Sequence, residues 1–520
     1  MSHRIWPLSL AVLLLAYATG ALLVPPGMFS DSGWGFAVWQ SMQHGGPFNW
    51  LIQADPTNIA FDGGGFMSWW TPGQYLLPGA LTLLGLNLGH ALVAVTLAFS
   101  ALGLVGWYLV YRRFQMGRSI ALLSCTVIAV NRFFVLPFGT YNGGEVLLFG
   151  GVPYVLLVGL WAFKAPHLRW VPLAGAFLVA FVLKNAALVL ALVLCVTLAI
   201  RSFREQRVTT ALWWPAAFLL SYVTAYALYL SKGLSAASTG RHLADDVIAK
   251  TLFALSGPLM SAFSIDESLA WLLANPGRPL WPDWQASLAI MLPLAIVALG
   301  AYLLAWRAHR HSEYGRFLPV FLLGYIGIFV VLNVLGSAVS STTEARHFRP
   351  SGMVLLPGVL TLAFTSSRRL VRVAGAMLVI IVGLYGTASY ATRLRYLAGR
   401  NAVGSQGFTH TIIDRETLHW LAQKDRDLSP GAALFYLTFP EIALEVPHSR
   451  VVLTHADFES AELLSSRVYR GTVPHLFVVL PQVFVESGKD RIILSSMHDY
   501  SRWNSEQVGQ FRIYEGVPQQ

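Results

Sequence analysis

The residues best suited to chemistry are carboxylates and arginines standing at the ends of long apolar runs. Asp31 lies in Phe29-Ser30-Asp31-Ser32-Gly33-Trp34-Gly35, just past the apolar stretch 6–24, and Glu145 closes Thr140-Tyr141-Asn142-Gly143-Gly144-Glu145 at the head of another. Ionisable groups in or beside membrane spans are costly to keep, which makes them functional candidates. A carboxylate on a short tether at the lipid–water boundary could deprotonate an acceptor hydroxyl or amine. Asp31 and Glu145 together could also hold a divalent cation. A plainer role for Asp31 is the N-cap of a helix over Gly35–Gln43. Asp55 and Asp62 are nearby acidic alternatives, and Asp62 runs into Gly63-Gly64-Gly65, which reads as a flexible turn.

The second group is basic. Glu344-Ala345-Arg346-His347-Phe348-Arg349-Pro350 places two arginines immediately before an apolar run. The planar fork of donors on Arg suits phosphate, as in an anionic headgroup or a polyprenyl-phosphate leaving group. Lys184, midway through the apolar stretch 171–200, and Arg132 could add to the same field. Six aromatic residues, Trp34, Trp39, Trp50, Trp69, Trp70 and Tyr75, crowd the stretch 25–87. Trp is the ordinary interface residue, but indole faces also stack on sugar rings. Trp34, Trp70, Tyr75 and His347 are therefore candidate sugar or acceptor contacts, whereas His44 reads as structural or solvent-facing.

These groups need a membrane to position them. Of the 520 residues, 55% are hydrophobic and only 12% charged, against roughly 25% charged in soluble domains. That excludes a water-soluble enzyme, and 13% aromatic content excludes disorder. The net charge of +10 does not imply nucleic acid, because the basic residues sit in short clusters between apolar runs. Cys125 and Cys195 both fall within apolar runs, so a disulfide framework, a zinc cluster and a redox pair are not expected.

Lys and Arg clusters mark cytoplasmic loops. The 63 residues Pro25–Asn87 contain neither, which places them outside, whereas Tyr111–Arg118 is strongly basic. The apolar piece Thr71–Leu86 then reads as a helix on the outer surface. Spans are expected at about 6–24 (kept as a span, not cleaved as a signal peptide), 87–111, 119–137 and 145–163. The stretch 171–200 lies between two basic clusters and must cross twice, turning at Lys184-Asn185. Further spans at 212–230, 288–306, 317–338, 351–366 and 373–391 bring the count to about eleven transmembrane helices. The N-terminus is then cytoplasmic, and outer loops run over 25–87 and 231–287.

After residue 392 the sequence changes character. Its apolar runs are short and β-branched, at 433–437, 451–453 and 476–480, with helix-like pieces at 415–423 and 459–465. This reads as a small extracytoplasmic α/β accessory domain over 393–520. No Gly-rich phosphate loop follows any of these strands.

Residues 5–390 resemble the integral-membrane glycosyltransferases of the GT-C fold that use polyprenyl-phosphate sugars, the protein O-mannosyltransferase and aminoarabinose-transferase group. Asp31 followed by Phe36-Ala37-Val38-Trp39-Gln40-Ser41-Met42 and Gly45-Gly46 is similar to the acidic motif that opens their first outer loop. Trp70-Thr71-Pro72-Gly73-Gln74-Tyr75 resembles their Pro-x-x-Tyr surface helix, and Gly175–Lys184 their Gly-rich apolar run ending in Lys. Arg346-His347-Phe348-Arg349-Pro350 resembles their Arg-Tyr-x-x-Pro stretch with His for Tyr. Two departures are Ser32 where an acidic residue often follows the Asp, and Thr71 where Lys often precedes the Pro.

The resemblance implies a GT-C-like transmembrane domain over 1–392 that moves a sugar from a polyprenyl-phosphate donor to a protein, lipid or glycan acceptor with inversion. It implies Asp31 as base, Glu145 assisting, and Arg346, Arg349 and Lys184 on the departing phosphate, with 231–287 covering the site. A divalent cation is the one candidate cofactor, and membrane lipids are the remaining partners. Short cytoplasmic loops point to a bacterial inner membrane. A transporter or flippase for a lipid-linked or anionic substrate would show internal repeats, which are absent. A non-catalytic scaffold for the external domain is the other alternative.

Overall fold

In the computed structural model, which describes residues 5–233, 247–273, 287–334, 344–454 and 460–518, the long apolar runs are helices. Only a helix satisfies all its backbone groups internally in hydrocarbon. The chain opens with α1 (Ile5–Leu23), β1 (Gly27–Met28), α2 (Ser30–Gln43), the hairpin β2 (Trp50–Asp55) and β3 (Asn58–Phe66), and α3 (Gly73–Leu83). The bundle continues with α4 (Leu88–Arg113), α5 (Arg118–Ala129), α6 (Arg132–Gly139), β4 (Thr140–Tyr141), α7 (Gly144–Ala162), α8 (Pro166–Leu183) and α9 (Ala187–Arg204). It is completed by α10 (Val208–Ala211), α11 (Trp213–Leu228), α12 (Val247–Phe263), α13 (Ile265–Leu273), α14 (Leu288–His309), α15 (Glu313–Val334), α16 (Arg349–Thr365) and α17 (Arg369–Arg400).

Nine helical segments among the described residues are long and apolar enough to cross a membrane, two fewer than the eleven expected. Both differences have local causes. The expected span 119–137 is broken into α5 and α6, bent by 44°, where the Asn131 side chain turns away to donate to the Ala262 carbonyl at 3.2 Å. The first apolar helix, Pro7–Leu23, falls short of a full span, as does Val247–Phe263. Counting the bent pair as one span gives ten among the described residues. The stretch 171–200 does form two helices, α8 and α9, turning through Lys184–Ala186. They reach full length by extending into their basic flanks, where Arg169 lies 4.2 Å over the Trp161 ring and Arg201 lies 4.1 Å over Phe163.

Three expectations are corrected. Gly63-Gly64-Gly65 is not a turn but part of β3, pairing with Gln53, Ile52 and Leu51 of β2. A Cβ on Gly64 would lie 2.9 Å from the Leu51 carbonyl oxygen, so the glycine permits the close strand. Asp31 is not an N-cap, because α2 begins at Ser30 with Phe29 in the cap position. The segment 231–287 is no simple loop. Its described part forms α12 and α13, and α12 is packed into the bundle with Phe253 fully buried. Residues 234–246 and 274–286 of that segment lie outside the described ones.

Past Asn401, whose left-handed backbone ends α17, the chain forms α18 (Arg415–Asp427) and strands β5 (Ala433–Leu437), β6 (Arg450–Leu453), β7 (His475–Pro481), β8 (Tyr500–Val508) and β9 (Phe511–Pro518). The sheet order is β6-β5-β7-β9-β8. β5 runs parallel to both β6 and β7, and the last two strands are antiparallel. The expected α/β domain is present, but it does not stand apart. One hydrophobic core joins Trp34, Phe36, Tyr75, Leu92 and Tyr141 of the first loop and adjoining helices to Phe435, Phe439, Ile442 and Phe477 of the domain. Arg450 also pairs with Asp62 at 2.7 Å, and Ile59 donates its backbone N–H to the Arg470 carbonyl at 2.7 Å.

Two measurements probe this docking. Gly89 N–H donates to the Gln406 carbonyl at 3.0 Å, and a Cβ there would fall 1.8 Å from the Gly407 oxygen. Gly89→Ala should cost about 1–3 kcal/mol through overpacking, read as a lower Tm of the purified protein. Nearby, Glu445 and His410 are both buried and pair at 2.9 Å. Burial opposes ionisation of Glu445, yet hydrogen bonds from His410 and the Ser405 N–H hold its carboxyl below the ordinary value. Its stabilising contribution is therefore fully present above the unfolded-state pKa and is lost as pH falls through the lowered folded value. Glu445→Gln should flatten the acid limb of a Tm-against-pH curve, and an unaltered curve would show that the pair contributes nothing.

Candidate active site

Two carboxylate-bearing helices begin side by side. β1 and β4 pair in parallel, Gly27 with Thr140 and Met28 with Tyr141, and Phe29 N–H donates to the Tyr141 carbonyl at 3.1 Å. From this shared start α2 carries Asp31 in its first turn and α7 carries Glu145 in its own. The turn into α7 is tight. Gly143 has φ +57, and a Cβ there would lie 2.3 Å from Gln74 Oε1 and 2.9 Å from Ser32 Oγ. Only glycine lets α2, α3 and α7 meet at this point. The Tyr141 hydroxyl closes the same junction by donating to the Gln74 carbonyl at 2.6 Å.

Glu145 is buried and holds a ring of cations drawn from distant parts of the chain. Lys184, at the α8–α9 turn, binds Oε1. Arg349, the first residue of α16, donates to Oε2 at 3.2 Å, and Arg346 lies 3.9 Å from Oε1. Arg346 also pairs with Glu344. Among these five side chains, three cations face two carboxylates, leaving one positive charge in excess. The first turn of a helix is a favourable place for the central carboxylate.

The arginines are aimed by packing. Phe348, between them, is fully buried, its ring 4.4 Å from that of Phe329 and 6.4 Å from that of Phe253. Gly257 of α12 makes room for it, since a Cβ there would sit 2.5 Å from the ring. Pro350 then starts α16 with its fixed φ. His347 lies beside Phe329, with its ring centroid 6.0 Å away and Nε2 3.9 Å from Glu344.

A narrow cleft opens onto this ring, its free space of about 10 Å³ no more than a single water molecule fills. Its walls are Phe133, Phe134, Pro137, Val146, Phe149 and Ser100, and its polar end is Glu145 with Arg349. The Arg349 guanidinium lies 5.0 Å over the Phe133 ring. Phe133 and Phe134 come from α6, beyond the bend, and Phe149 from α7. Aromatic walls ending in cations match, in chemical type, an apolar group with an anionic head.

The sequence-derived residues divide on structural grounds. Glu145, Lys184, Arg346 and Arg349 converge. Asp31 lies in the first turn of the neighbouring helix, and His347 flanks the ring. Trp34 and Tyr75 do not offer a face to a sugar: Trp34 is buried and Tyr75 has 0% exposure. The cause is close packing of α2 on α3, where a Cβ on Gly35 would lie 2.9 Å from the Tyr75 ring. The Tyr75 hydroxyl is engaged by Asn49 Oδ1 at 2.5 Å, while Asn49 Nδ2 donates to Tyr229 at 3.0 Å. Trp70 is half-buried, its carbonyl accepting from Tyr229 at 2.5 Å.

Arg132, expected to add to this field, is joined at the border of the site by residues the sequence did not single out. Arg132 pairs with Glu267 of α13 at 2.8 Å, and Tyr385 donates to the Glu267 carbonyl at 3.0 Å. The adjacent Asp266 is raised to about 7 by burial and by Glu267, with Arg349 acting in the opposite sense. The signal of Asp266 and Glu267 was hidden because 231–287 shows no motif. Among the described residues no three of His, Cys, Asp and Glu group to hold a metal ion. A divalent cation at Glu145 would be repelled by Lys184, Arg346 and Arg349, so this end of the site does not fit one.

Neither a described protein family nor a curated protein matches the sequence. Solved structures do match. ArnT from Cupriavidus metallidurans in the apo state aligns over 99% of both chains with TM-score 0.54 and 14% identity. The same protein bound to undecaprenyl phosphate aligns over 99% of both chains with TM-score 0.55 and 15% identity. The arabinofuranosyltransferase AftD from Mycobacteria aligns over 100% of this chain and 40% of its own, with TM-score 0.51 and 14% identity. These proteins are GT-C glycosyltransferases. The fold is GT-C. The GT-C likeness spans the membrane bundle and the C-terminal domain together, so the two form one architecture.

The ion ring makes a quantitative prediction. Removing the carboxylate from a buried pair leaves uncompensated charge and costs about 3–5 kcal/mol. Glu145→Ala should therefore lower the Tm sharply, and Lys184→Met in the same chain should recover part of the loss. If Glu145→Ala melts like wild type, the three cations do not depend on it.

Proposed function

We propose that the chain is a membrane glycosyltransferase that moves a sugar from a polyprenyl-phosphate donor to an acceptor at the membrane face bearing the C-terminal domain. The observation that carries this reading is the Lys184–Arg346–Arg349 ring at the end of an aromatic cleft. The surplus positive charge takes the phosphate, and the phenylalanines beside it offer the prenyl chain an apolar wall. The solved complex of ArnT with undecaprenyl phosphate supports the same class of donor.

The reaction is a single displacement. Asp31 takes the proton from the acceptor hydroxyl or amine as that atom attacks the anomeric carbon. The bond from that carbon to the phosphate oxygen breaks on the opposite side, which inverts the centre. Its electron pair stays on the phosphate, where negative charge grows in the transition state. Preorganised Arg349, Arg346 and Lys184 meet that charge without reorganising. Glu145 holds the three cations apart and in place, and its engagement by them leaves the proton-accepting role to Asp31. The acceptor is a protein, lipid or glycan. The membrane is a bacterial inner membrane with the N-terminus in the cytoplasm, a placement supported by the basic clusters at the opposite end of the bundle, such as Arg112, Arg113, Arg201 and Arg204.

Asp31→Asn should lower transfer by about 10²–10⁴-fold, the usual contribution of general base catalysis, while the chain still folds and binds undecaprenyl phosphate. The readout is mass spectrometry of glycans and lipids from cells that carry only the variant. Unchanged modification would remove Asp31 from the mechanism. Modification that is also unchanged in cells lacking the gene would overturn the glycosyltransferase reading itself.

A further inference from the structure

The C-terminal domain reaches the base of α2 with a buried carboxylate. β5 lies between two parallel partners, β6 and β7, and functional groups in open α/β sheets collect at the carboxyl ends of such strands. From that end the chain passes directly into the 3-10 helix Pro440–Glu445, all six residues of which are buried. This helix packs on the start of α2. A Cβ on Gly33 would lie 2.8 Å from the Glu441 backbone nitrogen, so the two backbones touch. The Glu441 side chain has 2% exposure, and its Oε1 accepts a hydrogen bond from Ser30 Oγ at 3.2 Å.

The place is one where α2 needs support. Its N-cap is Phe29, which provides no side-chain cap hydrogen bond, although side-chain oxygens ordinarily fill that role. Ser30 is the first residue of the helix and Asp31 the second. A carboxylate at a helix N-terminus is electrostatically favoured, and this one comes from a sheet more than 400 positions away in sequence. On its other side the same turn packs close to Gly143, where a Cβ would lie 2.9 Å from the Ser32 hydroxyl.

We propose that Glu441 is a positioning residue for Asp31: through Ser30 it fixes the first turn of α2, and with it the direction of the proposed base. The C-terminal domain thereby becomes a working part of the active site and not an appendage. The inference rests on the glycosyltransferase reading above. Misplacing a reacting group by about 1 Å can cost on the order of a hundredfold in rate, which sets the scale of the expected effect.

The test uses the full-length chain in cells lacking the gene. Product is measured by mass spectrometry and divided by the amount of folded protein, and undecaprenyl phosphate affinity is measured on the purified variants. Glu441→Ala should lower product formation per folded chain by about 10–100-fold and leave that affinity unchanged. Glu441→Gln keeps an acceptor oxygen toward Ser30 and should retain most of the activity. Ser30→Ala should fall in the same direction, and the Ser30→Ala/Glu441→Ala pair should be no worse than the more impaired single variant.

Wild-type product from folded Glu441→Ala would overturn the proposal. So would a loss that tracks only the amount of folded protein, additive losses in the double variant, or a parallel loss of donor affinity. If even the wild-type chain makes no glycosylated product, the underlying reading falls, and that outcome is recognisable without any Glu441 variant.

Discussion

Charge at the edge of a hydrocarbon slab has to be neutralised locally, and the Glu145 ring is the solution on which this structure depends. A lone buried carboxylate or ammonium would carry a desolvation penalty of several kcal/mol. Here one carboxylate binds Lys184 from the α8–α9 turn and Arg346 and Arg349 from the approach to α16. The attraction gathers three separate parts of the bundle around one point. Because guanidinium groups carry more donors than Glu145 and Glu344 can absorb, the ring holds together and still has capacity for an anion. Structural neutralisation and the proposed phosphate recognition would thus fall to the same side chains.

The second constraint is the shared apolar core. A polar segment of 63 residues without Lys or Arg has little reason to order at a membrane surface by itself. It is ordered by the hairpin β2–β3 against β6, and by Trp34 and Phe36 against Phe439 and Ile442. The aromatic cluster that suggested sugar stacking is used largely in this joint. Trp34 and Tyr75 are held by close helix packing at Gly35, and the hydroxyl of Tyr75 completes a chain through Asn49 to Tyr229. The residues that look most like a carbohydrate platform by type instead pack the first loop against the C-terminal domain.

The bend between α5 and α6 is a local exception with a purpose in the geometry. Asn131 leaves the helical ladder and is caught by α12 and the residue beyond it, donating to the Ala262 carbonyl and pairing with Ser264. The displaced α6 turns Phe133, Phe134 and Pro137 toward Glu145 and Arg349. The same event explains why a span that reads as continuous by hydropathy is divided in the fold.

Hydropathy and the spacing of Lys and Arg were enough to establish a polytopic helical protein, the double crossing at Lys184 and a distinct α/β region at the end. These depend on composition summed over some twenty residues, which one chain carries in full. Asp31, Glu145, Lys184, Arg346 and Arg349 were also legible, because a charge beside an apolar run stands out by type alone. Their grouping around Glu145, the burial of Trp34 and Tyr75, and the arrival of Glu441 at Ser30 belong to tertiary structure. Each is a contact between residues tens to hundreds of positions apart, and its geometry is set by glycine-permitted close approaches and helix ends that no local pattern records.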